Sequence, residues 1–106
     1  MDAHIPQIDR VFALPIRFGI LSQLIESDGQ ATFVALADNV LVNKNYGSLS
    51  TSIERLKREG YVTTEKRFVD NKPQTTIVLT DLGRQAFERH CRALGKIIKA
   101  MPEEAA

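Results

Sequence analysis

Between Lys44 and Lys72 the sequence gathers side chains suited to one kind of chemistry, the non-covalent grip on a polyanion. Lys44, Asn45, Tyr46, Ser48, Thr51, Ser52, Arg55 and Arg58 follow one another closely, with Arg67 and Lys72 behind them. Cations and short hydroxyl or amide side chains are the groups that hold phosphate oxygens and read base edges. The stretch contains seven basic residues (Lys44, Arg55, Lys57, Arg58, Lys66, Arg67, Lys72) and four acidic ones (Glu54, Glu59, Glu65, Asp70). It is therefore +3, which leaves −2 for the remainder of a chain whose total is +1. Charge alone also fits a solvated surface, so its meaning depends on the elements that carry it.

Bond-making chemistry has little to work with. No glycine-rich phosphate loop, paired catalytic carboxylates or nucleophile with a convergent base is visible, and an enzyme is not expected. Cys91 is the single cysteine, which rules out an intrachain disulfide and two-cysteine metal motifs. His4, His90 and Cys91 are too few and too scattered for a metal site. Neither metal nor cofactor is expected, and Cys91 reads as a core or interface residue. At 106 residues with 43% hydrophobic side chains, the chain is expected to be one globular domain over 1–106. No apolar run approaches the roughly 20 residues of a membrane span. Met1-Asp2-Ala3-His4 lacks the basic start of a signal peptide, so a cytoplasmic protein with no membrane partner is expected.

The elements that must position these groups can be read from period and punctuation. Ile5, Ile8, Val11 and Phe12 hint at a short N-terminal helix. A clear helix runs from Pro15, suited to a first turn, to about Ser27, with Phe18, Leu21, Leu24 and Ile25 on one face. Gln30 and Ala31 form a brief extended segment, and Thr32 caps a short helix striped by Phe33, Leu36, Ala37 and Val40. After a turn-rich stretch, a third helix starts near Asn45 or Tyr46 and runs through Glu59. Leu49, Ile53 and Leu56 are its core side, and Gly60 closes it. Residues 61–69 then switch to β-branched and aromatic types, Asp70-Asn71-Lys72-Pro73 is a turn, and Gln74–Leu79 is a returning strand. Thr80 and Asp81 cap a long final helix that ends before Pro102.

This order predicts a mainly α fold with a small β-hairpin, a winged helix-turn-helix with core and wing over 13–79 and a long C-terminal dimerisation helix over 80–101. In that layout the third helix, about 46–59, enters the major groove of duplex DNA. The wing, about 66–74, lies on the flanking backbone or minor groove. Bland roles stand beside several of these side chains: a helix cap for Ser48, packing on the helix pair for Tyr46, pairing with Glu54 or Glu59 for Arg55 and Arg58. Strand alternation puts Glu65, Arg67 and Val69 on one face and Lys66 and Phe68 on the other, and Lys72 in the turn is the surest wing cation. The last helix carries Phe87, Leu94, Ile97 and Ile98 further than one small domain could cover, which predicts a homodimer.

Four segments resemble stand-alone winged-helix regulators related to the MarR and ArsR families. They are Pro15-Ile16-Arg17-Phe18-Gly19-Ile20-Leu21, Gly47-Ser48-Leu49-Ser50, Leu56-Lys57-Arg58-Glu59-Gly60-Tyr61-Val62 and Leu79-Thr80-Asp81-Leu82-Gly83-Arg84. The resemblance covers roughly residues 9–98, and its last two segments are specific together. It implies sequence-specific binding of double-stranded DNA by a homodimeric transcriptional regulator. A pocket for a small-molecule effector between the first and last helices fits such dimers, although no residue here points to a ligand. Where the group often has an Arg-His pair in the recognition helix, this chain has Thr51 and Ser52. That pair and the near-neutral net charge support the alternative, a winged-helix protein-interaction module without DNA binding. Lys44, Arg55, Arg58 and Lys72 oppose it.

Overall fold

The computed structural model describes residues 8–40 and 45–101. Lys44, and the part of the expected N-terminal helix before residue 8, lie outside the described residues. Within them, a single 3-10 turn at Arg10–Phe12 stands where the remainder of that helix was expected. The helices are α1 (Pro15–Glu26), α2 (Phe33–Val40), α3 (Tyr46–Arg58) and α4 (Asp81–Ala100), and the strands are β1 (Gln30–Thr32), β2 (Val62–Val69) and β3 (Lys72–Leu79).

Local chemistry accounts for most of the boundaries. Leu14 is extended, as the residue before a proline must be, and Pro15 opens α1. Asp28 (φ 60°) and Gly29 (φ 95°) take left-handed conformations beyond its end, and the Gly29 amide donates to the Leu24 carbonyl at 2.7 Å. Thr32 Oγ1 accepts from the Ala35 amide at 3.0 Å and so caps α2. Asn45 Oδ1 accepts from Ser48 N at 3.1 Å at the head of α3, and Gly60 (φ 81°) follows its last turn.

The sheet is three-stranded and antiparallel in the order β1-β3-β2, with Ala31 and Thr64 flanking Ile77 from its two sides. The hairpin turns in two residues rather than the four expected. Asp70 (φ 54°) and Asn71 (φ 65°) are both left-handed, the pattern whose twist matches two paired strands. Lys72 and Pro73 therefore already belong to β3, opposite Val69 and Phe68. Pro73 is tolerated because β1 reaches β3 only at residues 76–78, leaving an open edge at 73.

The core gathers Val11 and Phe12, Ile20, Leu21 and Leu24 of α1, Leu36 and Ala37 of α2, Leu49, Ile53 and Leu56 of α3, Val62, Ile77, Ala86 and Phe87. Phe87 was expected at a dimer interface, and the structure corrects this. Its ring centroid lies 5.0 Å from that of Phe18 and 5.2 Å from that of Phe12, so the first half of α4 closes the core over α1. The burial of α4 extends to Ala93 and stops there. Beyond it Leu94 is half-buried while Ile97, Ile98 and Met101 are exposed, so the helix runs past the core in a chain that measures 55 × 27 × 23 Å. Cys91 is also exposed, which removes the core role for it.

Candidate nucleic-acid interface

The outward face of α3 follows from which residues the core takes. Leu49, Ser52, Ile53 and Leu56 are buried, at the i, i+3, i+4, i+7 spacing of one helical face. Ser52, expected among the DNA-contacting residues, is therefore on the inner side, 8% exposed. It lies three residues after Leu49 and four before Leu56, and both neighbours point inward. The exposed hydroxyls are those of Ser48, Ser50 and Thr51. Ser50 was missed by the sequence reading, although counting three and four residues from the leucines would have found it.

Asn45 takes the capping role that was open for Ser48, so the Ser48 hydroxyl is left outward while the Asn45 amide oxygen is engaged. Tyr46 takes the packing role and stays partly open to solvent. Its ring leans on Phe33 of α2 at a centroid distance of 6.2 Å, and about half of it remains in solvent. Farther along, Arg55 Nε donates to Glu59 Oε2 at 3.1 Å, and Lys57 Nζ lies 3.5 Å from Glu54 Oε2. These are exposed pairs one turn apart, weak enough for a phosphate to compete with. Arg58 is exposed and has no ion pair among the described residues.

The wing carries the second group. From Glu65 to Pro73 every residue is exposed. Arg67 Nη2 donates to Glu65 Oε1 at 2.6 Å, on the face that alternation gives both of them. Lys66 and Lys72 have no ion pair among the described residues. The projecting tip also holds Phe68, 77% exposed, which the sequence reading placed on a face but gave no role.

What aims the wing is its root, where the exit from α3 crosses the entry to α4. The Thr80 hydroxyl donates to the Gly60 carbonyl at 2.7 Å and accepts from Gly83 N at 3.0 Å, while Thr80 N donates to the Tyr61 carbonyl at 3.1 Å. Gly83 sits so close to the Tyr61 backbone that a Cβ there would collide with it. Tyr61 is held from its other end too. Its ring stacks on Phe12 and its hydroxyl donates to Asp9 Oδ2 at 2.8 Å. Burial, then the hydrogen bond and charge of Asp9, push the Tyr61 hydroxyl up to about 12. His90 completes the anchor: its Nδ1 accepts from the Asp9 amide at 3.1 Å, and burial lowers its pKa against the opposing charge of Asp9. With Nδ1 an acceptor, the neutral ring carries its proton on Nε2.

Residues 16–98 match the profile of the winged helix DNA-binding domain. The chain belongs to that family. Solved structures of similar shape include a transcriptional regulator homologue from Pyrococcus horikoshii, with a TM-score of 0.76 and 27% identity over 86% of this chain and 87% of that one. The YusO protein of Bacillus subtilis has a TM-score of 0.65 and 15% identity over 91% and 68% of the two chains. A MepR-like protein complexed with pseudoligands has a TM-score of 0.64 and 21% identity over 90% and 67%. Among curated proteins no sequence matches. This chain is thus a winged-helix protein, similar in shape to a transcriptional regulator homologue and a MepR-like protein. Among the described residues no helix is long and apolar enough to cross a membrane.

Proposed function

We propose that this winged-helix protein binds double-stranded DNA sequence-specifically, as a homodimeric transcriptional regulator whose domain spans the chain. In this reading α3 lies in the major groove. Its small outward hydroxyls Ser48, Ser50 and Thr51 allow close approach, and Arg55 and Arg58 reach bases or phosphates further along. Asn45, Tyr46 and Lys44 pass the sugar-phosphate backbone, and Arg67, Lys66 and Lys72 of the wing follow the flanking phosphate ridge or minor groove. The observation that carries the proposal is the outer face of α3, free of core duties and placed beside a projecting basic wing.

Dimerisation supplies the second half-site. Ile97, Ile98 and Met101 lie in solvent where α4 leaves the body, with Leu94 at the margin. Pairing two such helices about a twofold axis would cover these side chains and present two α3 helices to half-sites about 34 Å apart.

The test is fluorescence-anisotropy titration against duplex DNA from upstream of the protein's own gene and against scrambled duplex, across a salt series, with light scattering for mass. Selective, salt-sensitive binding by a dimer is the expected result. A folded dimer that binds weakly and ignores sequence at low salt would shift the reading to a protein-interaction module.

A further inference from the structure

We infer that the wing carries an apolar wedge, Phe68, that enters a DNA minor groove and opens a base step. The inference rests on the duplex-DNA reading above and deepens it.

Phe68 is the most exposed large hydrophobic residue among those described, at 77%, and its neighbour Val69 is 48% exposed. Among the described residues no aromatic side chain packs on the ring. The buried part of the sheet ends at Thr76, opposite Glu65, while Phe68 lies three residues further out, opposite the exposed Pro73. A phenyl ring kept in water forgoes the burial that gives aromatic side chains their main energetic value.

The surroundings narrow the occupant. Lys66 shares the ring's face of β2, while Arg67, tied to Glu65, and Lys72, opposite Val69, lie on the other face of the hairpin. An apolar tip set among cations suits a surface that offers negative charge on both sides of a narrow slot with apolar walls. The minor groove, about 6 Å wide between phosphate ridges, has that form, with deoxyribose rings as its walls and the edges of stacked bases as its floor. Lys66 lies on the same face of β2 two residues earlier, about 7 Å back along the strand. It can therefore rest on a phosphate while the ring enters the groove. Apolar wedges of this kind partly unstack a base step and bend the duplex toward the major groove by roughly 20–90°.

The experiment uses the full chain and a duplex of about 30 base pairs selected by the wild-type protein from a random library, carrying a fluorophore at each end. Anisotropy reads affinity, and energy transfer between the ends reads the bend. Wild type is expected to shorten the end-to-end distance. Phe68→Ser should bind about tenfold more weakly, on the scale of a lost base–aromatic contact, and leave the duplex nearly straight. Its salt slope should stay that of wild type, because no phosphate contact is removed. Phe68→Leu should keep most of the bend, and both variants should melt as wild type does.

Wild-type affinity and bend in Phe68→Ser would overturn the wedge while leaving DNA binding in place. A change in the mass of Phe68→Ser without DNA would overturn it too, by making the ring a protein contact. Failure of the wild-type protein to select any duplex would overturn both this inference and the reading beneath it.

Discussion

The two ends of the wing obey opposite rules. At the root, Gly60, Tyr61, Thr80 and Gly83 exchange hydrogen bonds across two chain crossings, and Asp9 and Phe12 hold Tyr61 from behind. At the tip, residues 65–73 are all exposed and closed by a two-residue turn. The root sets where the wing points, and the tip is free to be chosen for what it touches. The sharpest way to break this contrast is Gly83→Ala. A methyl there meets the Tyr61 backbone, which its own hydrogen bonds keep from moving aside. The expected loss is about 3 kcal/mol, at the upper end for overpacking, read by urea denaturation. A loss below about 1 kcal/mol would mean that α4 can slide and that the root is not fixed.

The root also carries a pH signature. The folded state holds His90 below its ordinary 6.5. Below that pH the unfolded chain binds a proton that the folded one refuses, so stability is full above about 6.5 and falls as pH drops. Tyr61 works at the other extreme. Its folded value of about 12 exceeds the ordinary 10, so its contribution is present below pH 10 and is lost as pH rises toward 12. Urea melts at pH 8 and pH 5 should show weaker folding at pH 5, and His90→Phe should flatten that difference. An unchanged difference in the variant would assign the acid sensitivity to another group.

This division also explains what could be read from the sequence. Pro15, Thr32, Gly60 and Thr80 were legible because each meets a backbone requirement that few residue types satisfy. The pairing of Gly60-Tyr61 with Thr80 and Gly83 is the physical content of the last two of the four segments that carried the resemblance. Ser52 falls at the flank of the outward face by helical position, and packing turns that flank of α3 into the core. Phe87 was misplaced because periodicity marks an apolar stripe without saying where the body of the protein ends. The tethering of Asp9 to Tyr61 and His90 joins positions 52 and 81 residues apart, and no local pattern signals such a contact. At the tip, two consecutive left-handed residues were hidden by Pro73, which looked like part of the turn.

On the DNA side the expected effects are smaller and should leave the fold alone. Arg58→Ala and Lys72→Ala each remove an exposed cation with no ion pair among the described residues. Each should weaken binding to the selected duplex roughly five- to tenfold at 0.1 M salt, and reduce the log–log salt slope by about one. Arg55→Ala should cost less, since the free protein already pairs Arg55 with Glu59. Equal binding by Arg58→Ala and Lys72→Ala across the salt series would remove both positions from the interface.

The smallest effect tests the freedom of the tip itself. Asp70 and Asn71 sit at φ 54° and 65°, a conformation that asparagine tolerates and glycine adopts without steric cost. Asn71→Gly should relieve that strain, partly offset by the greater freedom glycine has in the unfolded chain. The net expectation is a gain of about 0.5 kcal/mol, or about 3 °C in a thermal melt. Affinity for duplex DNA should stay within twofold, because the turn carries neither Lys72 nor Phe68. A loss of stability beyond about 1 kcal/mol would show that the Asn71 side chain is held by something in the folded state. The tip would then share the constraints of the root, and its exposed residues could no longer be read as selected for contact alone.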